Sequence, residues 1–394
     1  MMIEPKLRFK ADDGSDFPDW EEKTLGELFS ISAGGDIDRD NSSIKRSQDY
    51  PYSVYANSLS NHGLYGYANY YKIDGDTFTV TGRGDVGWAV ARHGKYVPIV
   101  RLLVCQPKAG DNVDFFAAQV NSTRIFIEST GVPQLTAPQL AKVKIKRPSL
   151  PEQRKIADLL STVDDVIAAQ QAEVDAWERR KKGVMQKLFS QEVRFKADDG
   201  SDFPDWEEKT LGDLGEFIKG APLSKADIAP EGNPMILYGE LYTTYGEVAY
   251  EIARSTNRNV DDKYRSKIGD VLIPTSGETP EEISTATCVM KEGVILAGDL
   301  YIYRTVDEID GRIMSYLLNH QANKAISCIA QGKSVVHVQA KELRNITVVF
   351  PFEMGEQRKI ADCLASMDEV IQKSKDELAK WQELKKGLLQ QMFV

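Results

Sequence analysis

Apolar residues recur at alternating spacings of three and four along two long stretches of the chain. The first carries Ile156, Leu160, Val163, Ile167, Val174 and Trp177, and the second Ile360, Leu364, Met367, Ile371, Leu378 and Trp381. Such spacing draws a stripe down one face of an α-helix; sustained for about five heptads, it predicts a helix-pair seam rather than the flank of a globular domain. About 36 residues at roughly 1.5 Å each would make a rod of roughly 54 Å. Polar residues break each stripe at matching places, Gln170 and Lys181 in the first, Ser374 and Lys385 in the second. An antiparallel pairing would set Gln170 against Lys385 and Lys181 against Ser374, whereas a parallel pairing would stack the two lysines. Ser149-Leu150-Pro151-Glu152 fits a capping box with proline in the first turn, a start signal the second helix lacks.

The residues before each helix follow another pattern. TFTVT (77–81), GWAVA (87–91) and YVPIVRLLVCQ (96–106) precede the first; DVLIPTS (270–276) and GVILAGDLYIYR (293–304) precede the second. Short β-branched and aromatic runs punctuated by glycine predict strands and turns. Gly75-Asp76 and Gly269-Asp270 each lead into a buried strand, and Leu140 to Pro148 and Leu343 to Pro351 close the two blocks alike. The blocks are expected to be diverged copies of one α/β fold.

Repetition fixes the organisation. RFKADDGSDFPDWEEKTLG occupies 8–26 and returns unchanged at 194–212, and the helices 151–190 and 355–394 are identical at 18 of 40 positions. The offsets are 186 and 204, so the flanks match while the second block is 18 residues longer. The expected domains are therefore 1–150 with its repeat segment 8–28, a central helix 151–190, 191–354 with its repeat segment 194–214, and a C-terminal helix 355–394. Phe17-Pro18-Asp19-Trp20 and Phe203-Pro204-Asp205-Trp206 are expected to dock on equivalent surfaces, which requires the N-terminus to lie near the end of the second helix.

At 394 residues the chain exceeds one ordinary core. No apolar run is long enough to span a bilayer and no signal peptide is visible, so the cytoplasm, with no membrane partner, is the expected location. Cys105, Cys288, Cys328 and Cys363 lack CxxC spacing and are expected to be core thiols; the four histidines are isolated, so no metal site is expected. Net charge is −10, of which the two repeat segments contribute −8. Phe29–Leu150 carries 14 basic against 10 acidic residues, and Gly215–Met354 carries 14 against 19. Net charge thus neither supports nor excludes a nucleic-acid partner.

Aromatic, Asn and basic residues interleave at Arg39, Lys45, Arg46, Tyr52, Tyr55, Asn57, Tyr65 and Arg83, and again at Tyr238, Tyr242, Arg254, Asn257, Arg258, Lys263 and Arg265. Lys and Arg suit phosphate contacts, while Arg and Asn suit base edges, so these are the candidate DNA-contacting residues, although any one such cluster is more often a solvated loop. Gly82 to Gly87 matches GxGxxG, but no helix pattern follows and no acidic residue stands about 20 positions on, so a turn exposing Arg83 is expected instead of a nucleotide site. No nucleophile elbow, Walker A loop, metal cluster or adenine-methylase loop is present, and nothing requires catalysis.

The duplicated organisation, with Leu150-Pro151-Glu152-Gln153-Arg154-Lys155-Ile156-Ala157 and Gly355-Glu356-Gln357-Arg358-Lys359-Ile360-Ala361 opening the two helices, resembles the specificity subunit of type I restriction-modification systems. The resemblance covers the whole chain. It implies an α+β protein with two α/β target-recognition domains separated by two long helices that form an antiparallel coiled coil, in a pseudo-two-fold, circular arrangement. It further implies double-stranded DNA as ligand, each domain reading half of a bipartite site and the helix pair setting the spacer. Two modification subunits would methylate adenine N6 with S-adenosylmethionine, and restriction subunits would add ATP- and Mg-dependent cleavage. The chain itself would bind none of these cofactors and catalyse nothing.

Overall fold

The computed structural model describes residues 5–123, 125, 134–332 and 335–393. Both stripes lie on helices of 40 residues, Leu150–Phe189 and Met354–Phe393. The chain divides into two compact units, residues 1–172 with 375–394 and residues 173–374, so each unit takes half of each long helix.

In the first unit, Phe29–Ala33, Leu103–Pro107, Thr77–Val80 and Ala89–Arg92 form an antiparallel sheet in that order. The helix Val113–Ser122 covers it, with Phe116 and Phe78 edge-on to Phe29 at 5.0 and 4.9 Å. A second sheet runs Ser42–Ser43, Leu64–Ala68, Tyr52–Tyr55 and Tyr96–Pro98, its last pair parallel. The second unit repeats the plan with a five-stranded sheet centred on Asp270–Pro274, a three-stranded sheet (Arg254–Thr256, Asn233–Leu237, Ile295–Ala297) and the helix Gly311–His320. Even a small staple is shared. Asn121 brackets Ala89 with bonds of 2.7 and 2.8 Å, and Asn319 brackets Ala286 with 3.0 and 2.7 Å.

Two expected strands are each broken in two. YVPIVRLLVCQ divides into Tyr96–Pro98 and Leu103–Pro107, which belong to different sheets, because Val100 and Arg101 take left-handed φ values of 52° and 60°. GVILAGDLYIYR divides likewise into Ile295–Ala297 and Leu300–Thr305 at Gly298, φ 81°. An apolar run conceals such a turn because both of its strands are buried. Of the four cysteines expected in the core, Cys105 and Cys288 are buried, but Cys328 is exposed and Cys363 half-buried.

The long helices run antiparallel within each unit. In the first, Ile156 and Leu160 share a core with Leu388 and Met392, while Lys385 reaches Asp164 at 2.5 Å. In the second, Ile360 and Leu364 share a core with Val184 and Leu188, while Lys181 reaches Asp368 at 2.5 Å. The lysines that interrupt the stripes therefore end on equivalent aspartates of the facing helix, and not against Ser374 and Gln170 as expected, because each finds a carboxylate six residues earlier on that helix. Of the remaining seam positions Val163, Val174, Met367, Ile371 and Leu378 are buried, and Ile167, Trp177 and Trp381 half-buried.

The identical segment and the helix start explain each other. Glu152, its side chain fully enclosed, accepts from the Arg8 guanidinium at 3.0 and 2.9 Å and from the Trp20 indole N–H at 3.1 Å. Glu356 does the same for Arg194, at 3.0 and 2.8 Å, and for Trp206 at 3.1 Å. One residue on, the Gln153 and Gln357 side chains accept from the backbone N–H groups of Asn112 and Asp310, each at 2.8 Å, fixing the start of the helix that covers each unit's sheet. Lys155 and Lys359 reach Asp12 and Asp198 at 2.5 and 2.6 Å. The expected capping box is thus absent: Glu152 is spent on Arg8 and Trp20, and the Ser149 hydroxyl is buried without a hydrogen bond among the described residues.

The first and last described segments of the chain meet as expected. The Leu7 N–H donates to the Gln391 carbonyl at 3.1 Å, reproducing the Val193-to-Lys187 bond of 3.2 Å that closes the first helix onto its own downstream segment.

Candidate nucleic-acid interface

In each unit the chain crosses from one sheet to the other through the left-handed turn described above, and loops gather around that crossing. In the first unit Val100 N–H donates to Gly35 O at 2.9 Å and Arg101 N–H to Gly34 O at 3.0 Å. Asn57 then ties three loops together: its amide donates to Val100 O at 2.6 Å and accepts from Gly82 N–H at 2.7 Å. Gly82 is required by space, since a Cβ there would stand 2.9 Å from the Leu135 carbonyl. Arg83 and Arg101 project from this surface, both exposed.

The other first-unit candidates divide by role. Arg39, Lys45, Arg46 and Tyr65 are exposed, and with Arg83 the four cations have no ion pair among the described residues. Tyr52 packs edge-on against Tyr71 at 5.1 Å. Tyr55 lies under the guanidinium of Arg92 at 3.7 Å, and Arg92 is itself buried, bonded to Thr79 at 3.1 Å, with its pKa lowered by burial. Tyr55 and Asn57 therefore hold the loops in position rather than pointing outward.

In the second unit the same crossing borders a cleft of about 1230 Å³ lined by Tyr238, Tyr242, Arg254, Glu278, Glu282 and Asp299 among others. Burial, then the neighbouring Tyr238, raises the Tyr242 pKa. The cations here are mostly occupied. Arg254 pairs with Glu240 and Arg258 with Asp227, both at 2.9 Å, while Arg265 reaches Gly293 O at 3.2 Å and Lys263 lies 4.8 Å over the Tyr264 ring. Asn257 is exposed. The two surfaces differ in electrostatic character, free cations on one and a carboxylate-lined cleft on the other.

Two further exposed residues leave no mark in the hydropathy pattern. Arg101 sits inside an apolar run, and Trp88, 44% exposed, lies in a stretch that looks like a buried strand. Only the broken strand could have revealed Arg101. No helix is long and apolar enough to cross a membrane among the described residues.

The profile described as the type I restriction modification DNA specificity domain matches residues 18–176 and again 204–380. The chain is 23% identical over 281 residues to the type I restriction enzyme MjaVIII specificity subunit of Methanocaldococcus jannaschii, a match covering 66% of this chain and 64% of that relative. Its fold is similar to a crystal structure of a type I restriction-modification system S subunit from M. genitalium, at TM-score 0.68 and 15% identity, over 100% of this chain and 99% of that one. A structure from a study of complex assembly and conformational transition of the type I R-M system is similar at TM-score 0.51 and 16% identity, over 95% and 98% of the two chains.

Proposed function

We propose, from the premise that the chain belongs to the type I restriction-modification DNA specificity family, that its two units each read one half of a bipartite DNA site. The paired long helices hold the two readings at a fixed spacing. The observation that carries this is the contrast within the duplication: the Arg–Trp–Glu interlock is the same in both units, whereas the exposed loops differ in sequence and charge. A frame kept constant around divergent loops suits two readers of different half-sites on one scaffold. Two modules joined by stiff helices accept only half-sites whose separation and phase match the helices, as in other two-site DNA binders.

In this reading the chain performs no catalysis and acts in the cytoplasm. Two modification subunits, holding S-adenosylmethionine, methylate adenine N6 at the selected site, and restriction subunits supply ATP- and Mg-dependent cleavage. The exposed cations Arg39, Lys45, Arg46 and Arg83 contact phosphate in the first half-site, and Tyr238 and Tyr242 line the contact surface of the second. Side-chain exposures of 95% at Asp12 and 97% at Asp198 suit the acidic loops to protein partners rather than DNA.

Exchanging the first block (29–148) for that of a relative with another specificity, then mapping methylated bases in a host carrying the modification subunits, tests the reading. One half-site should change while the other half and the spacer persist. Change in both halves together would refute modular readout.

A further inference from the structure

We infer that the turn crossing between sheets is the specificity-determining position of each unit, with Arg101 reading a guanine in one half-site and Asp299 a cytosine in the other. Backbone bonds fix the equivalence. Gly35 bridges Ile99 and Ala221 bridges Ala297, both in parallel register, and Val100 and Gly298 each donate to the first partner of their own bridge at 2.9 Å. Val100 therefore corresponds to Gly298, and Arg101 to Asp299.

The second unit makes the turn with glycine, which adopts φ 81° freely, but the first makes it with a β-branched valine at 52° followed by arginine at 60°. Left-handed valine is strained, and strain of this kind persists where its surroundings impose it and its side chains are put to use. Asn57 and Gly34–Gly35 impose it here. Val100 is 46% exposed, so burial does not compensate the valine, and Arg101 is exposed without an ion pair among the described residues.

Charge is inverted between the two copies. Arg101 offers a fork of donors that matches the O6 and N7 acceptors of guanine. Asp299, exposed on the cleft beside Tyr238 and accepting from Ser276 at 3.1 Å, offers an acceptor for the cytosine amino group. Neither residue takes part in the interlock that holds its unit together.

This inference rests on the bipartite reading, and the test separates the two. The chain is reconstituted with its modification subunits and the methylated motif of the unsubstituted complex is mapped first; absence of a two-part motif overturns the broader reading. Given such a motif, Arg101→Ala should reduce discrimination at one guanine of one half-site by roughly 5- to 150-fold, leaving the other half unchanged. Asp299→Asn should act at a cytosine of the other half. Val100→Gly, which retains Arg101, should keep the motif and raise Tm. Arg101→Lys, keeping charge without the fork, should lose the same discrimination and serves if the alanine variant folds poorly. Unaltered base preference in the Arg101 and Asp299 variants, or weakening equal for all sequences, would overturn the proposal, the latter marking phosphate contacts.

Discussion

Glu152→Ala should unfold the first unit's interlock, and its cost follows from what the carboxylate holds. The side chain is fully enclosed, and it accepts three hydrogen bonds of 2.9 to 3.1 Å from Arg8 and Trp20. Removing one member of a buried pair typically costs about 3–5 kcal/mol. Arg8 retains 23% exposure, so water recovers part of its solvation and the ionic loss falls near the lower end, about 3 kcal/mol. The indole N–H, left without an acceptor, adds about 1 kcal/mol. Urea unfolding of the full chain should therefore show a loss of about 3–4 kcal/mol, and Glu356→Ala should match it within about 1 kcal/mol, because Arg194 and Trp206 are held alike. Glu152→Gln keeps an acceptor for Trp20 and should cost less. A loss below about 1 kcal/mol, or widely different costs in the two units, would refute the claim that this interlock is what the repeated sequence encodes.

Other perturbations have equally definite outcomes. Lys181 meets both Glu247 at 2.8 Å and Asp368 at 2.5 Å, so Lys181→Met should destabilise the second unit by about 3 kcal/mol at alkaline pH. Burial holds the Asp368 carboxyl above its ordinary range, so the folded state takes up its proton first and that loss should shrink as pH falls. Lys385→Met, which breaks an exposed pair, should cost less than about 1 kcal/mol by the same measurement. Burial works to lower the His93 pKa, but its bonds to Asp76 and Asp114 raise it above 6.5. Its stabilisation is thus complete below that unfolded value and lost as pH rises through the folded one, and His93→Asn should flatten that slope in unfolding curves. A permutant opened between Ser190 and Arg194, with the original ends joined, should fold and bind as the parent does, since Leu7 already bonds Gln391; failure to fold would contradict the closure.

The helices and the duplication were legible because they rest on long-range periodicity and on identity between distant segments, signals that no local accident produces. The antiparallel direction was legible too, since parallel pairing would have brought Lys181 onto Lys385, but the register was not: the lysines meet Asp368 and Asp164 in place of Ser374 and Gln170. What sequence could not supply was local competition for a side chain. Glu152 looks like a capping residue until Arg8, 144 positions away, claims it. Asn57 looks like a base reader, yet its amide staples Val100 to Gly82. Arg101 was hidden by hydrophobic neighbours on two strands of different sheets. Each of these outcomes depends on contacts between residues remote in sequence, which hydropathy and spacing do not record.

Inserting one heptad into each long helix and mapping the methylated motif decides whether stiff helices hold two independent readings apart. Seven residues lengthen a helix by about 10 Å, equal to about three base pairs of duplex. Both half-sites should stay unchanged and the spacer should lengthen by about that number. Retention of the original spacer with both half-sites intact would contradict that role of the helices.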